Sequence, residues 1–423
     1  MPARSTNISV PPSRLNVDFW KFWAGQTISN LGSSFTLFAL PLLIFKLTGS
    51  ALNLGLATMV NLLPYLLFGL LIGAWVDRVN RKQLMIITDV ARMLIIASIP
   101  LLATVNLLSI WWIYAVAFIS STLSIGFNAA QFAAIPSLVN RDDLVTANGR
   151  IQASYSAASV IGPLLAGLLL AVIPITTILL FDAASFLISA ASLALIKTSF
   201  NSRTNEEQKQ TSIRRDIVEG LRYVLGHPVL RSISLMMALV NLVSTTVNTQ
   251  LVLFAKSQLS ASDTKVGLLY SAGSAGVVVL SLAAGFLRKR WSFSTVALGA
   301  LMLNGLLTVI LALMHWYWAA LLLWALISGL FILFNINTSS LRQAIVPDHL
   351  LGRVMTIAAV VAWSPIPLGA LIGGLIIEQI RNVALVYGVI GVLIFLIPLT
   401  FSFTALGHAE RYLPQAETSS TSD

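Results

Sequence analysis

Cysteine is absent from the 423 residues, which excludes disulfides and thiolate metal sites. Charge is scarce as well. Only 10% of residues are Asp, Glu, Lys or Arg, against about 25% in a soluble domain. So few charges cannot coat a water-facing surface, and with 57% apolar residues most of that surface must face lipid. The four histidines, His227, His315, His349 and His408, are scattered without metal-ligand spacing, so no metal or cofactor is expected. No Gly-x-x-x-x-Gly-Lys-Ser/Thr phosphate loop occurs, nor a polar stretch long enough to fold around a nucleotide, which excludes ATP as an energy source within the chain. The first eighteen residues carry Pro2, Pro11 and Pro12 and no apolar core, so a cleaved signal peptide is not expected.

What is abundant is apolar sequence in long runs. A transmembrane helix needs about 20 mostly apolar residues. Twelve runs qualify, at 22–46, 51–76, 83–105, 109–135, 148–172, 174–196, 229–255, 265–287, 293–314, 317–344, 353–379 and 382–405. Several nearly touch, so Gly49-Ser50, Val172-Ile173-Pro174 and Arg381-Asn382 must be tight turns. The expected organisation is all-α and membrane-embedded: a six-helix half over 1–196, a linker over 197–228, a second six-helix half over 229–405 and a tail over 406–423.

Lys and Arg in short loops mark the cytoplasmic side. With the N-terminus inside, 21 of the 26 basic residues fall on inner segments and only Lys46, Lys256, Lys265 and Arg381 on outer ones; Arg92 lies within a span. Both termini are therefore expected in the cytoplasm. The net charge of +10 is accounted for by membrane orientation and needs no nucleic-acid partner. Within the linker, Ile213, Ile217, Leu221 and Leu225 share one helical face, which reads as a helix lying at the membrane interface.

The two halves repeat one design. Gly55, Leu56 and Gly73 recur as Gly267, Leu268 and Gly285, each glycine offset by 212, and both sets end in a basic loop. Gly149-Arg150-Ile151 matches Gly352-Arg353-Val354 at the start of the fifth and eleventh spans. Six spans per half make these parallel repeats, with a site between the halves and access alternating by rocking.

Gly73-Ala74-Trp75-Val76-Asp77-Arg78-Val79-Asn80-Arg81-Lys82 resembles the Gly-x-x-x-Asp-Arg-x-Gly-Arg-Lys signature of the major facilitator superfamily, with Asn80 in place of glycine. Asn tolerates left-handed backbone, so the turn is expected to survive. The resemblance implies that this loop gates, Asp77 facing the N-terminal end of the eleventh span near Gly352-Arg353 and Arg78 belonging to the same motif; Arg81 and Lys82 are expected to anchor in headgroups or pair with Asp142 or Asp143. Gly149, Ala158, Gly162-Pro163 and Ala166-Gly167 partly match the family's antiporter glycine motif, which marks exporters; two of its glycines are alanine. Trp23-Ala24-Gly25-Gln26 and Asp182-Ala183-Ala184-Ser185-Phe186 look like the branch containing macrolide efflux and enterobactin exporters.

The resemblance also places the first, fourth, seventh and tenth spans around a central cavity. Their polar faces offer Gln26, Asn30, Ser121, Asn128, Asn241, Thr245 and Asn335 to a substrate, and none carries a full charge near its middle. Such a lining suits a neutral or weakly charged amphiphile; the same side chains could instead link helices by hydrogen bonds. Ionisable groups inside the membrane are costly and point to function. Asp89 and Arg92, three apart, can form an ion pair on the third span. Asp182 has no basic neighbour in its own span and is a candidate proton carrier, as is Asp89, although the resemblance places the sixth span away from the cavity. Glu378, at an outer helix end, is expected to be solvated. The expected partners are a small amphiphile, a proton or other coupling ion, and membrane lipid, with the chain acting as a monomer in the bacterial inner membrane. Export of a siderophore or other metabolite remains open, as do an integral-membrane enzyme and a non-transporting receptor.

Overall fold

The computed structural model describes residues 15–76, 78–201 and 213–412. The first half comprises α1 (Val17–Thr48), α2 (Ala51–Val76), α3 (Arg81–Thr104), α4 (Ile110–Leu138), α5 (Leu144–Leu169) and α6 (Ile175–Ala194). A linker helix α7 (Ile213–Gly226) leads into α8 (Pro228–Thr249), α9 (Leu251–Ser257), α10 (Asp263–Arg290), α11 (Phe293–Ala312), α12 (Tyr317–Ile345), α13 (Asp348–Trp363), α14 (Ile366–Ile380) and α15 (Val383–Ser402). Twelve stretches among the described residues are long and apolar enough to cross a membrane, α13 and α14 counting as one. With an even number of crossings, both described chain ends lie on one face, termed proximal; the other face is distal.

Two spans expected to be continuous are broken. The seventh ends at Gln250, and α9 continues it. The eleventh breaks at Ser364-Pro365, because Pro365 has no N–H for the Val361 carbonyl; the Ser364 hydroxyl donates to that carbonyl instead, at 3.4 Å. The expected tight turns are present. Gly49 adopts φ 62° and its N–H closes on the Phe45 carbonyl (2.8 Å), and Arg381 caps α14 in the same left-handed region at φ 55°. Asn80 departs from expectation. Its backbone is extended (φ −71°, ψ 106°), and its side chain accepts from the Gln83 amide at 3.1 Å. The residue that replaces the signature glycine is therefore the N-cap of α3 and not a left-handed turn.

Helices in lipid gain nothing from hiding apolar surface from one another, so they pack through small residues. α11 and α15 meet at Gly305 and Gly391: a Cβ on Gly305 would lie 2.4 Å from the Phe395 amide nitrogen. α1 crosses α6 at Gly25 and Gly32, where Ser192 and Ser185 occupy the space that a side chain would need.

The linker helix belongs to the second half. Gly220 packs on Ile357, Val224 is buried, and Glu219 pairs with Arg353 at 2.7 Å. Leu221 and Leu225, on the stripe expected at the interface, stay exposed. Past α15 the segment Ala405–Tyr412 docks on α11, where Glu410 accepts from the Ser294 amide (3.0 Å) and hydroxyl (2.9 Å). Burial works to raise the Glu410 carboxyl, but these bonds outweigh it and hold it below the ordinary 4.5. A lowered folded pKa gives docking that is complete above about 4.5 and lost as pH falls through the folded value. Amide-exchange protection over 405–412, corrected for intrinsic rate, should fall in that acid window, and Glu410→Gln should show the loss already at neutral pH.

Candidate functional site

The two ends of the bundle are built differently. At the distal end one apolar core runs through both halves, joining Phe38, Leu42 and Ile44 to Val247, Phe254 and Tyr387. At the proximal end the cores are separate, one around Phe19, Phe22 and Phe127 and another around Met236, Leu301 and Phe334. The repeat-related glycines explain the distal closure. A Cβ on Gly55 would lie 2.4 Å from the Ala370 carbonyl of α14, and one on Gly267 would lie 2.4 Å from the Pro163 carbonyl of α5. Backbone meets backbone at both crossings, which only a residue without a side chain permits.

Polar bonds complete this seal. Gln250, fully buried, donates to the Ala51 carbonyl at 2.8 Å, and Thr264 donates to that of Gly167 at 2.9 Å. Glu378 is not merely solvated. It caps α2 from the other half, accepting from the Ser50 hydroxyl (3.0 Å) and the Ala51 amide (2.9 Å). Asp263 bridges Lys46 of the first half and Lys256 of the second.

At the proximal ends of α2, α5, α10 and α13 the counterparts Gly73, Gly149, Gly285 and Gly352 face open space. Gly162, within the partial antiporter motif, packs on Ser34 of α1, while Pro163 and Gly167 meet α10. Asp77 lies outside the described residues. Close by in the sequence, Arg81 donates to the Ala133 and Phe200 carbonyls (both 3.2 Å), and Lys82 to those of Ala194 (3.2 Å) and Ile196 (2.6 Å). Lys82 thus caps the C-terminal end of α6, where cations are favoured. Arg78 is exposed.

Beneath the seal lies a chamber of about 480 Å³, walled by both halves. Of the seven side chains expected at a cavity, Ser121 and Thr245 line it. Asn30 and Asn128 lie one helical turn proximal to wall residues of α1 and α4. Asn335 bonds the Phe331 carbonyl of its own helix (2.9 Å). Gln26 and Asn241 are buried in helix contacts, bonding Ser189 (2.9 Å) and the Ala362 carbonyl (2.7 Å).

The expectation of an uncharged lining does not hold, nor does the placing of the sixth span away from the cavity. Asp182 of α6 and Arg92 of α3 both line the chamber. Asp182 accepts from Thr36 (2.5 Å), Ser33 (3.3 Å) and Ser185 (3.4 Å). Helical period within the four expected cavity spans does not reach this pair; α6 packs closely on α1 at Gly32, which sets Asp182 beside the α1 hydroxyls of the wall. The expected Asp89–Arg92 ion pair is also not formed. The Asp89 carboxyl is fully buried and neither oxygen has a partner among the described residues, while the Arg92 guanidinium sits 4.0 Å from the Phe186 ring centroid. Arg342, read from the sequence as an inner-loop charge, is buried against the Met237 sulfur at 3.1 Å.

Comparison with known proteins agrees with this architecture. A family profile described as transmembrane secretion effector matches residues 9–418. Macrolide efflux protein A of Streptococcus pyogenes is 24% identical over 370 residues, covering 86% of this chain and 90% of that protein. The multidrug efflux pump Tap of Mycolicibacterium fortuitum is 25% identical over 351 residues, covering 81% and 85%. An uncharacterized transporter of major facilitator type, YfiS of Bacillus subtilis, is 27% identical over 398 residues, covering 92% and 94%. Among solved structures, a mutant of the nucleoside transporter NupG superposes with a TM-score of 0.76 at 13% identity, covering 91% of this chain and 98% of that one. An inward-facing, unoccupied bacterial homologue of the lysosomal transporter Spinster superposes with a TM-score of 0.72 at 14% identity, covering 94% and 97%.

Proposed function

The chain belongs to the transmembrane secretion effector family of major facilitator transporters, and on that premise we propose that it exports small amphiphilic molecules, macrolide-like drugs among them, by alternating access driven by protons. It is a transporter and not an enzyme. The observation that carries the reading is the central chamber, closed distally and flanked proximally by open glycine faces, with Asp182 in its wall. Apolar walls with a few hydroxyls and amides suit an amphiphile. A carboxyl that reaches both the chamber and a hydroxyl network can exchange a proton for substrate.

In this reading the proximal face is cytoplasmic, the chain works as a monomer in a bacterial plasma membrane, and the structure corresponds to the loading state. Export follows when Gly73 and Asp77 close on the start of α13 near Gly352 while the distal crossings part. Arg92 in the wall favours one second reading, export of an anionic secreted metabolite such as a siderophore.

The test is efflux of a macrolide and a panel of lipophilic dyes from cells expressing the wild type or Asp77→Asn, with and without a protonophore. Protonophore-sensitive efflux, lost in the variant, is expected. Efflux that ignores the protonophore would rule out proton drive, and efflux of anionic metabolites alone would select the second reading.

A further inference from the structure

A second chamber of about 290 Å³ opens inside the second half, sharing Asn248 and Tyr270 with the wall of the central one. Its size fits a head group and not a whole drug. The close crossing of α10 and α12 forms it. Gly273 lets Trp324 and Ser328 approach α10, since a Cβ there would lie 2.6 Å from the indole nitrogen and 3.0 Å from the Ser328 hydroxyl.

The polar groups in this wall are unusual for the middle of a lipid-embedded bundle. Trp324 is 4% exposed, yet its indole N–H has no acceptor among the described residues. Asn304, 3% exposed, donates to the Ile327 carbonyl at 2.7 Å, which leaves its side-chain oxygen unengaged. The hydroxyls of Ser274 and Ser328 have no partner among the described residues either. Ser274 and Ser328 are only partly buried, and these groups stay free to bond what enters the chamber; a wall that presents several unpartnered polar groups toward one space is organised for something that bonds there. Among the described residues no Lys, Arg, Asp or Glu lines this chamber, whereas Asp182 and Arg92 line the neighbouring one. The wall mixes donors and acceptors and adds an indole, a combination that suits alternating hydroxyls on an apolar ring.

We propose that this chamber is a head-group subsite for an uncharged, hydroxyl-rich moiety such as a glycosyl group, the apolar remainder of the substrate lying in the central chamber. The proposal rests on the export reading for the route by which such a ligand arrives and leaves. It names the half of the substrate that the central chamber does not recognise. A carboxylate on the same ring would be rejected, because nothing in the wall offsets its charge.

Binding to the full chain in lipid nanodiscs tests this with three matched coumarins: 4-methylumbelliferyl glucoside, its glucuronide, and 7-ethoxy-4-methylcoumarin, which keeps the ring system and has no sugar. The wild type should bind the glucoside in preference to both others. Trp324→Phe keeps an aromatic ring and removes the donor; Ser274→Ala with Ser328→Ala removes two hydroxyls and serves if the first variant folds poorly. The double serine change should cut the preference for glucoside over ether about tenfold, the loss expected for two neutral hydrogen bonds, and Trp324→Phe about threefold, the loss expected for one. Equal binding of glucoside and ether by the wild type, glucuronide binding as tight as glucoside, or variants that weaken glucoside and ether alike would each overturn the assignment. Dye efflux without any glucoside preference would sink the subsite and leave the exporter standing; glucoside binding without efflux of any compound would do the reverse.

Discussion

Replacing Gly55 and Gly267 together by valine will drive the protein out of the distal-closed state. At both positions a first side-chain carbon falls 2.4 Å from a backbone carbonyl oxygen of the opposite half, and neither backbone can swing aside as a side-chain tip would. Overpacking of this kind costs about 1–3 kcal/mol per site in the closed state and nothing once the helices separate. Two sites therefore supply about 2–6 kcal/mol, against the roughly 5.5 kcal/mol that moves an equilibrium from 1:99 to 99:1. The chain has no native cysteine, so spin labels on Leu107→Cys and Leu313→Cys, exposed in distal turns of the two halves, report the distal gap alone. The distance distribution should shift to a longer population, and efflux should fall with it, since a carrier that cannot reseal cannot reload. Gly55→Ala alone should give a smaller shift in the same direction. An unchanged distribution in the double variant would show that the seal is held by the Asp263, Glu378 and Gln250 contacts and not by the glycine crossings.

The fold was legible because lipid imposes strict rules on sequence. Runs of about twenty apolar residues must be helices, and the basic residues between them mark one side. The offset of 212 between Gly55 and Gly267 carried more than topology: the pair occupies equivalent crossings of α2 on α14 and of α10 on α5. Legibility ended where a side chain's surroundings depend on a neighbouring helix. Gln26 and Asn241 share helical faces with cavity positions, yet a residue one step round the helix meets another helix and not the chamber. Conversely, Asp182 and Arg92 lie on spans other than the four read as cavity-lining, yet both reach the wall, α6 packing tightly on α1 at Gly32 beside Asp182. Asn80 misled for a local reason. The same side chain that tolerates left-handed backbone is also a strong N-cap, and the following helix takes the second option.

The second large effect is expected at that wall. Asp182→Asn should abolish uphill, proton-driven export while leaving downhill leak of the same compound. The substitution preserves shape; Thr36 and Ser33 bond different carboxylate oxygens, so one hydroxyl still donates to the remaining oxygen while the other turns to accept from the new amide, and the chamber should persist. What disappears is the only acidic side chain lining the chamber among the described residues. Coupling between proton and substrate is a free energy shared by the two ligands, commonly equivalent to about 5–150-fold in affinity, and it is reciprocal. In the wild type, substrate binding in nanodiscs should therefore tighten as pH rises and should release protons to the medium. In Asp182→Asn both effects should vanish together. Asp89 is the necessary comparison, because it is buried close to the same Arg92 on α3 but does not line the chamber. Asp89→Asn should alter the midpoint of the pH dependence and leave its existence intact. If Asp182→Asn retains full pH-driven transport in vesicles, the proton does not enter through the wall of the chamber, and a carboxyl that substrate never touches must couple through the rocking of the halves instead.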